Sequence, residues 1–172
     1  MDAGSTQETV TAKRNPIYID DFIDVARDFE VLKYRFSGDG QWLAPLATVA
    51  TQDGETLRMR IGPSWAAGLV SREVRVTISP PRERDGALVR SLAWVPSEWQ
   101  SLFPLLDGDI ELAPIGSDWC RLSLSAAYTP PFGGFGVRVD RAMLHHVAAS
   151  TVRSFLNQVA SGLEARFDQS SD

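Results

Sequence analysis

In the strand-like segments between Leu57 and Tyr128 apolar residues recur at every second position, and from Arg141 onward they recur at every third or fourth. That switch constrains the fold more than any short motif. Segments of period two bury one face of a sheet, and a following amphipathic helix has one stripe of its own to bury. In LRMRI, Leu57, Met59 and Ile61 oppose Arg58 and Arg60; in REVRVTI, Val74, Val76 and Ile78 oppose Glu73, Arg75 and Thr77. LVRSLAWV follows the turn RERDG, DIELAPI follows LLDGD, read as a turn, and CRLSLSAAY sets Cys120, Leu122, Leu124, Ala126 and Tyr128 on one face. The connections are too short for parallel crossovers, so the spacing predicts an antiparallel sheet.

The helical pattern that follows carries Leu144, Val147, Ala148, Thr151, Val152, Phe155, Val159 and Leu163 on one side, with Asp140 placed as an N-cap. About 26 residues of helix would be about 39 Å long, enough to lie across the apolar face of the sheet. Near the N-terminus the reading is less uniform. VTAKRNPIYI can supply a first strand, with Pro16 suited to an edge. DDFIDVARDF reads as a helix, because Phe22, Val25, Ala26 and Phe29 fall at i, i+3, i+4 and i+7 and Asp20 precedes them as a cap. EVLKYRF either continues that helix through Leu32 and Phe36 or alternates as a strand through Leu32, Tyr34 and Phe36. With 172 residues the chain is long enough for one sizeable core, so we expect a flexible segment at 1–15, one domain over 16–167 and a flexible tail at 168–172.

Several function classes are excluded or disfavoured. No apolar run approaches the ~20 residues of a membrane-spanning helix, and MDAGSTQETVTAKRN lacks the pattern of a signal peptide, so a cytoplasmic protein without stable membrane insertion is expected. The single cysteine, Cys120, has no partner for a disulfide or a thiolate metal site, and its strand face makes it a buried small hydrophobe. A net charge of −5 argues against nucleic acid as a partner. The arginines nevertheless cluster: Arg58, Arg60, Arg72, Arg75, Arg82, Arg84 and Arg90 give residues 58–90 a charge of +4, either a solvated sheet face or a basic surface for an anionic partner.

The loop GGFGVRV has Gly134 and Gly136 at the first spacing of a dinucleotide fingerprint, but Val139 stands at the third glycine's place and no later strand completes a βαβ unit. No cofactor is expected. Pro130 and Pro131 end the preceding strand, and Gly133, Gly134 and Gly136 let the chain turn sharply into the helix, leaving Phe132 and Phe135 to cover the end of the core or the mouth of a cavity. His145 flanks the apolar stripe and His146 faces solvent; adjacent helical residues diverge by about 100°, so they cannot share a metal ion. With no GxSxG elbow or Cys/His signature, no catalytic residue is assigned and enzymatic activity is left open. Five tryptophans stand out: Trp94, Trp99 and Trp119 flank the strands, and Trp42 and Trp65 lie in connections. Each ring needs a partner for its N–H, so they suit either a core or the lining of a pocket.

The element order, together with WLAPLA around Trp42, LFPLLDGDIEL from Leu102 and LSLSAAYTPPFGGFG leading into DRAMLHHVAASTVRSFL, resembles the START-like helix-grip superfamily, the SRPBCC group of polyketide cyclase-like and lipid-transfer proteins, and above all uncharacterised bacterial members. The resemblance covers roughly residues 16–167. It implies an α+β helix-grip domain: a curved antiparallel sheet of six or seven strands wrapped around a long C-terminal helix, with one or two short helices near the N-terminus. It also implies a largely apolar cavity between sheet and helix. On the strands the expected lining is Met59, Ile61, Val74, Val76, Leu92, Trp94, Leu112, Leu124 and Tyr128, with Arg90 as a polar group among them. Trp42 and the corner residues Phe132 and Phe135 join them, and Met143, Val147 and Thr151 come from the helix.

The family implies binding or transport of a small hydrophobic molecule such as a lipid or polyketide. Two alternatives stand beside it: a cyclase or dehydratase-like enzyme in which Arg90, Tyr128 or His145 orients or protonates an enol oxygen, and an interaction module using the arginine-rich sheet face. The glycine-rich loop of plant relatives is represented only by TQDGET, so no phosphate role is carried over.

Overall fold

The computed structural model describes residues 16–38, 40, 42–43, 47–49, 56–61, 72–96, 105–129 and 141–165. Eight strand segments and two helices appear in the order β1 (Ile17–Val25), α1 (Phe29–Ser37), β2 (Ala47–Val49), β3 (Thr56–Ile61), β4 (Arg72–Ile78), β5 (Arg82–Arg84), β6 (Ala87–Pro96), β7 (Leu105–Pro114), β8 (Cys120–Thr129) and α2 (Arg141–Glu164). All strands belong to one antiparallel sheet ordered β1-β8-β7-β6-β4-β3-β2. β5 continues the line of β4 along β6, and the break between them falls at Pro80 and Pro81, which have no N–H to give to the ladder. The sheet is therefore seven strands wide, as expected.

Each strand forms for a legible reason. On β8 the residues Cys120, Leu122, Leu124, Ala126 and Tyr128 are all buried, the face that alternation selects. The β5–β6 hairpin turns through Asp85 and Gly86, both at positive φ (51° and 80°), as a two-residue Asp-Gly turn requires. β7 departs from the sequence reading, because LLDGD is strand throughout rather than a turn. Gly108 stands opposite Ala126 on the adjacent strand, and a Cβ on it would come within 2.3 Å of the Ser125 carbonyl oxygen and 2.5 Å of the Ala126 Cβ. The glycine lets the two backbones approach at the centre of the sheet rather than ending the strand.

The N-terminal reading also changes. DDFIDVARDF is not a helix: its first part lies in β1, and Asp20 is an outward strand residue rather than a cap. Ile17, Ile19 and Val25 are buried and Ile23 packs against the core, so the true period is two. Asp21 interrupts it on the inward side and gives the segment its helical look. The ion pair that Arg153 of α2 makes with Asp21 is what allows a carboxylate there. The helix begins eight residues later than the predicted cap, at Asp28, whose Oδ1 accepts from the backbone N–H groups of Glu30 (2.9 Å) and Val31 (3.3 Å). Of the two readings of EVLKYRF the helical one holds, with Leu32 and Phe36 buried one turn apart. Asp28→Ala should cost about 1 kcal/mol in a urea melt, because it removes the side-chain acceptor from two N–H groups of the first turn.

α2 spans 24 residues, about 36 Å. It lies on the inner face with one flank at the β1 edge, where Arg153 also donates to the Phe22 carbonyl oxygen (2.8 Å), while on another the Phe155 ring meets Trp94 of β6 edge to face at 5.6 Å. Ala148, Thr151, Val152, Phe155, Val159 and Leu163 of the predicted stripe are buried, and Leu156 and Ala160 widen it. The curved sheet, the long helix across it and the short N-terminal helix make up a helix-grip architecture. No described helix is long and apolar enough to cross a membrane.

Candidate functional site

Antiparallel register places the inward residues in rows across the sheet. The row nearest segments 97–104 and 130–140 is Val76, Trp94, Leu106, Tyr128 and Ile17; the next is Ile78, Leu92, Gly108, Ala126 and Ile19. Then come Arg90, Ile110, Leu124 and Asp21, and beyond them Leu88, Leu112, Leu122 and Ile23. Every aliphatic member of the first three rows is buried, and α2 faces them with Ala148, Val152 and Phe155. Of the expected lining, Trp42, Val74, Val76, Arg90, Leu92, Trp94, Leu112, Leu124, Tyr128 and Thr151 are buried. Met59 stands opposite Val74 in register and Ile61 opposite Arg72, but their side chains lie outside the described residues, as do those of Met143 and Val147 and the whole corner with Phe132 and Phe135.

Arg90 is the first polar group to account for. It is 5% exposed, yet it does not point an unused charge into the interior. Its Nε donates to the Ser79 carbonyl oxygen at 2.7 Å, and its Nη1 donates to the Phe36 and Gly38 carbonyl oxygens, each at 2.8 Å. The guanidinium therefore closes the C-terminal end of α1, where orphan carbonyls and the negative end of the helix dipole favour a cation. Its carbon lies 6.0 Å from the centre of the Trp42 ring, which stacks on Phe36 at 5.2 Å. Arg90 and Trp42 thus join α1 to the sheet.

Tyr128 and Trp94 are different. Tyr128 is 5% exposed, and burial pushes its hydroxyl up to about 12, so it remains a neutral donor through the physiological range. Trp94 is 1% exposed, and its Nε1–H has no acceptor among the described residues. A donor buried without an acceptor costs on the order of 1–3 kcal/mol, so it calls for an explanation. Cys120 sits at the opposite end of the face, where its Sγ–H donates to the Arg27 carbonyl oxygen (3.3 Å) and burial raises the thiol to about 11, in keeping with a structural rather than a reactive cysteine.

The polar candidates for enol chemistry do not converge. Arg90 shares a row with Leu124, four residues from Tyr128 on the same strand, and lies two strands away. That separates their backbones by about 13 Å along the strands and about 10 Å across them. His145 is exposed beside Tyr18, Asp20 and Arg153 at the β1 edge, and His146 is exposed as expected. Among the described residues no group of three His, Cys, Asp or Glu side chains could hold a metal.

The outer face of the sheet is a different surface. An open groove of about 560 Å³ lies over Ser91, Asp107, Asp109, Glu111, Ser123 and Ser125. Arg82 pairs with Asp109 at 2.7 Å and Arg84 with Glu111, while Ser91 bridges Arg82 and Asp109. Two of the arginines clustered in sequence, Arg82 and Arg84, thus meet acids of β7, and no bare basic surface results from these two. Of the buried inner-face residues absent from the expected lining, Ile17, Ile19, Leu106 and Ile110 belong to β1 and β7, the two strands whose alternation Asp21 and Gly108 interrupt, and Ile78, Leu88, Leu122 and Ala126 belong to β4, β6 and β8.

No protein-family model and no curated protein matches the sequence. Solved structures do match in shape. The Zhui aromatase/cyclase from Streptomyces sp. R1128 superimposes with a TM-score of 0.55 at 13% identity, covering 91% of this chain and 99% of that one. Norcoclaurine synthase from Thalictrum flavum gives 0.58 at 12%, covering 94% and 95%. Human STARD10 gives 0.58 at 10%, covering 92% of this chain and 68% of that one. At such identities the likeness is one of fold.

Proposed function

Because the chain has the START-like helix-grip fold, we propose that it binds a small hydrophobic molecule between the sheet and α2, as a carrier or sensor rather than as an enzyme. The observation that carries this reading is the inner face itself. It is apolar across five strands, and its two charged members, Asp21 and Arg90, are engaged by Arg153 and by backbone carbonyls. A site of this kind can enclose and orient a ligand, whereas acid-base catalysis needs titratable groups within hydrogen-bond reach of one reacting atom. The neighbours whose names describe a cyclase and a synthase share the fold, but Arg90, Tyr128 and His145 are spread over distances that one small substrate does not span in hydrogen bonds.

Native mass spectrometry of protein purified from its own host tests the reading. The expected result is a stoichiometric adduct of small-molecule mass that disappears on denaturation. Protein that carries no adduct, and that shows no saturable uptake of diphenylhexatriene, would refute it.

A further inference from the structure

Resting on that ligand reading, we infer that the Trp94 indole N–H and the Tyr128 hydroxyl form a paired donor site for a neutral carbonyl oxygen, which makes the ligand an apolar ketone, ester or aldehyde rather than a hydrocarbon. Three observations lead there. First, the two residues stand in one row, Trp94 opposite Leu106 and Leu106 opposite Tyr128, so their backbones are two strand spacings apart, about 10 Å. Both side chains belong to the inward face, with the buried Leu106 between them in the row.

Second, each ring is more than nine-tenths buried, and the Trp94 N–H has no acceptor among the described residues. Phe155 meets the Trp94 ring edge to face and offers no hydrogen-bond acceptor oxygen on its side chain. Third, the chemistry available is that of donors. An indole N–H only donates, and a phenol kept protonated by burial donates with it. A carboxylate would need a cation to offset its desolvation, and the buried cation of this face, Arg90, is held by three backbone carbonyls four residues along the strands. A neutral carbonyl has two lone pairs and can satisfy two convergent donors without bringing in charge. Trp42 also carries a buried unpartnered N–H, but its ring is stacked on Phe36 beside Arg90 at the α1 end, away from this row.

Two dyes of similar size separate the inference from the reading beneath it. Diphenylhexatriene contains no oxygen; 6-propionyl-2-(dimethylamino)naphthalene carries one ketone, and its emission reports hydrogen bonding to that oxygen. Wild type, Tyr128→Phe and Trp94→Phe are titrated with each. The expected result is diphenylhexatriene affinity within about twofold in all three proteins. The ketone dye should bind about five- to tenfold more weakly to each variant, the effect of one net hydrogen bond, with emission shifted to the blue in Tyr128→Phe. Unchanged ketone affinity in Tyr128→Phe, with the hydrocarbon dye still bound, overturns the inference and leaves the ligand cavity standing. Failure of wild type to bind either dye removes the cavity reading and the inference with it.

Discussion

Arg90→Met should destabilise the protein by about 3–5 kcal/mol, the largest loss expected of any single side-chain replacement on the inner face. Methionine fills much of the arginine's volume, so little of that loss comes from a void. The loss comes from three carbonyl oxygens left without their donor, that of Phe36 buried and those of Gly38 and Ser79 half-buried. Two of them end α1, so the helix should fray from its C-terminal side, and the Trp42 ring that Arg90 overlies should become more exposed. Urea melts followed by tryptophan fluorescence and by far-ultraviolet circular dichroism check both parts. Arg90→Lys should recover only a fraction, because an ammonium cannot present a planar fork to carbonyls on two different segments. A melt within 1 kcal/mol of wild type for Arg90→Met would mean that Arg90 is not the tie between α1 and the sheet.

Gly108→Ala is the second large effect, and it arises from the backbone. The added methyl would lie 2.3 Å from the Ser125 carbonyl oxygen and 2.6 Å from the Ala126 Cα, atoms that cannot rotate away as a side chain can. β7 and β8 must separate at the middle of their ladder or β7 must shift, at a cost of about 2–3 kcal/mol. Hydrogen exchange should localise the damage to the amides of β7 and β8 on either side of the Gly108–Ala126 pair, with α1 unaffected. Equal loss of protection throughout the molecule, or none, would contradict this account.

The sequence showed most of the sheet and the closing helix because β3, β4 and β8 alternate without a break, β6 does so over Leu92 and Trp94, and α2 holds its stripe from Leu144 to Leu163. It misled at β1 and β7 for one physical reason in two forms. Asp21 puts a carboxylate on a buried face, which only a distant arginine makes tolerable, and Gly108 puts a turn-forming residue in mid-strand, which only the approach of the next strand explains. Both are decided by partners more than fifteen residues away, so no local window reveals them. The same holds for Arg90. As a residue on an apolar face it resembled a reactive group, and its role as a helix cap depends on α1 being folded against β6. Tyr128 and Trp94, by contrast, were visible as inward aromatics, because alternation alone places them there.

The Asp21–Arg153 pair has a further consequence at the margin of the sheet. Among the described residues β1 has a neighbour on one side only, and a strand with a free side offers its unused N–H and C=O groups to any extended chain that drifts past. At Phe22 both groups are already taken: the N–H donates to Asp21 Oδ1 at 2.9 Å and the carbonyl accepts from Arg153. A foreign strand adding to β1 would have to break both contacts at Phe22. The residue that spoils the alternation of β1 thus also acts as a guard against intermolecular sheet growth, making the open margin a poor template for aggregation.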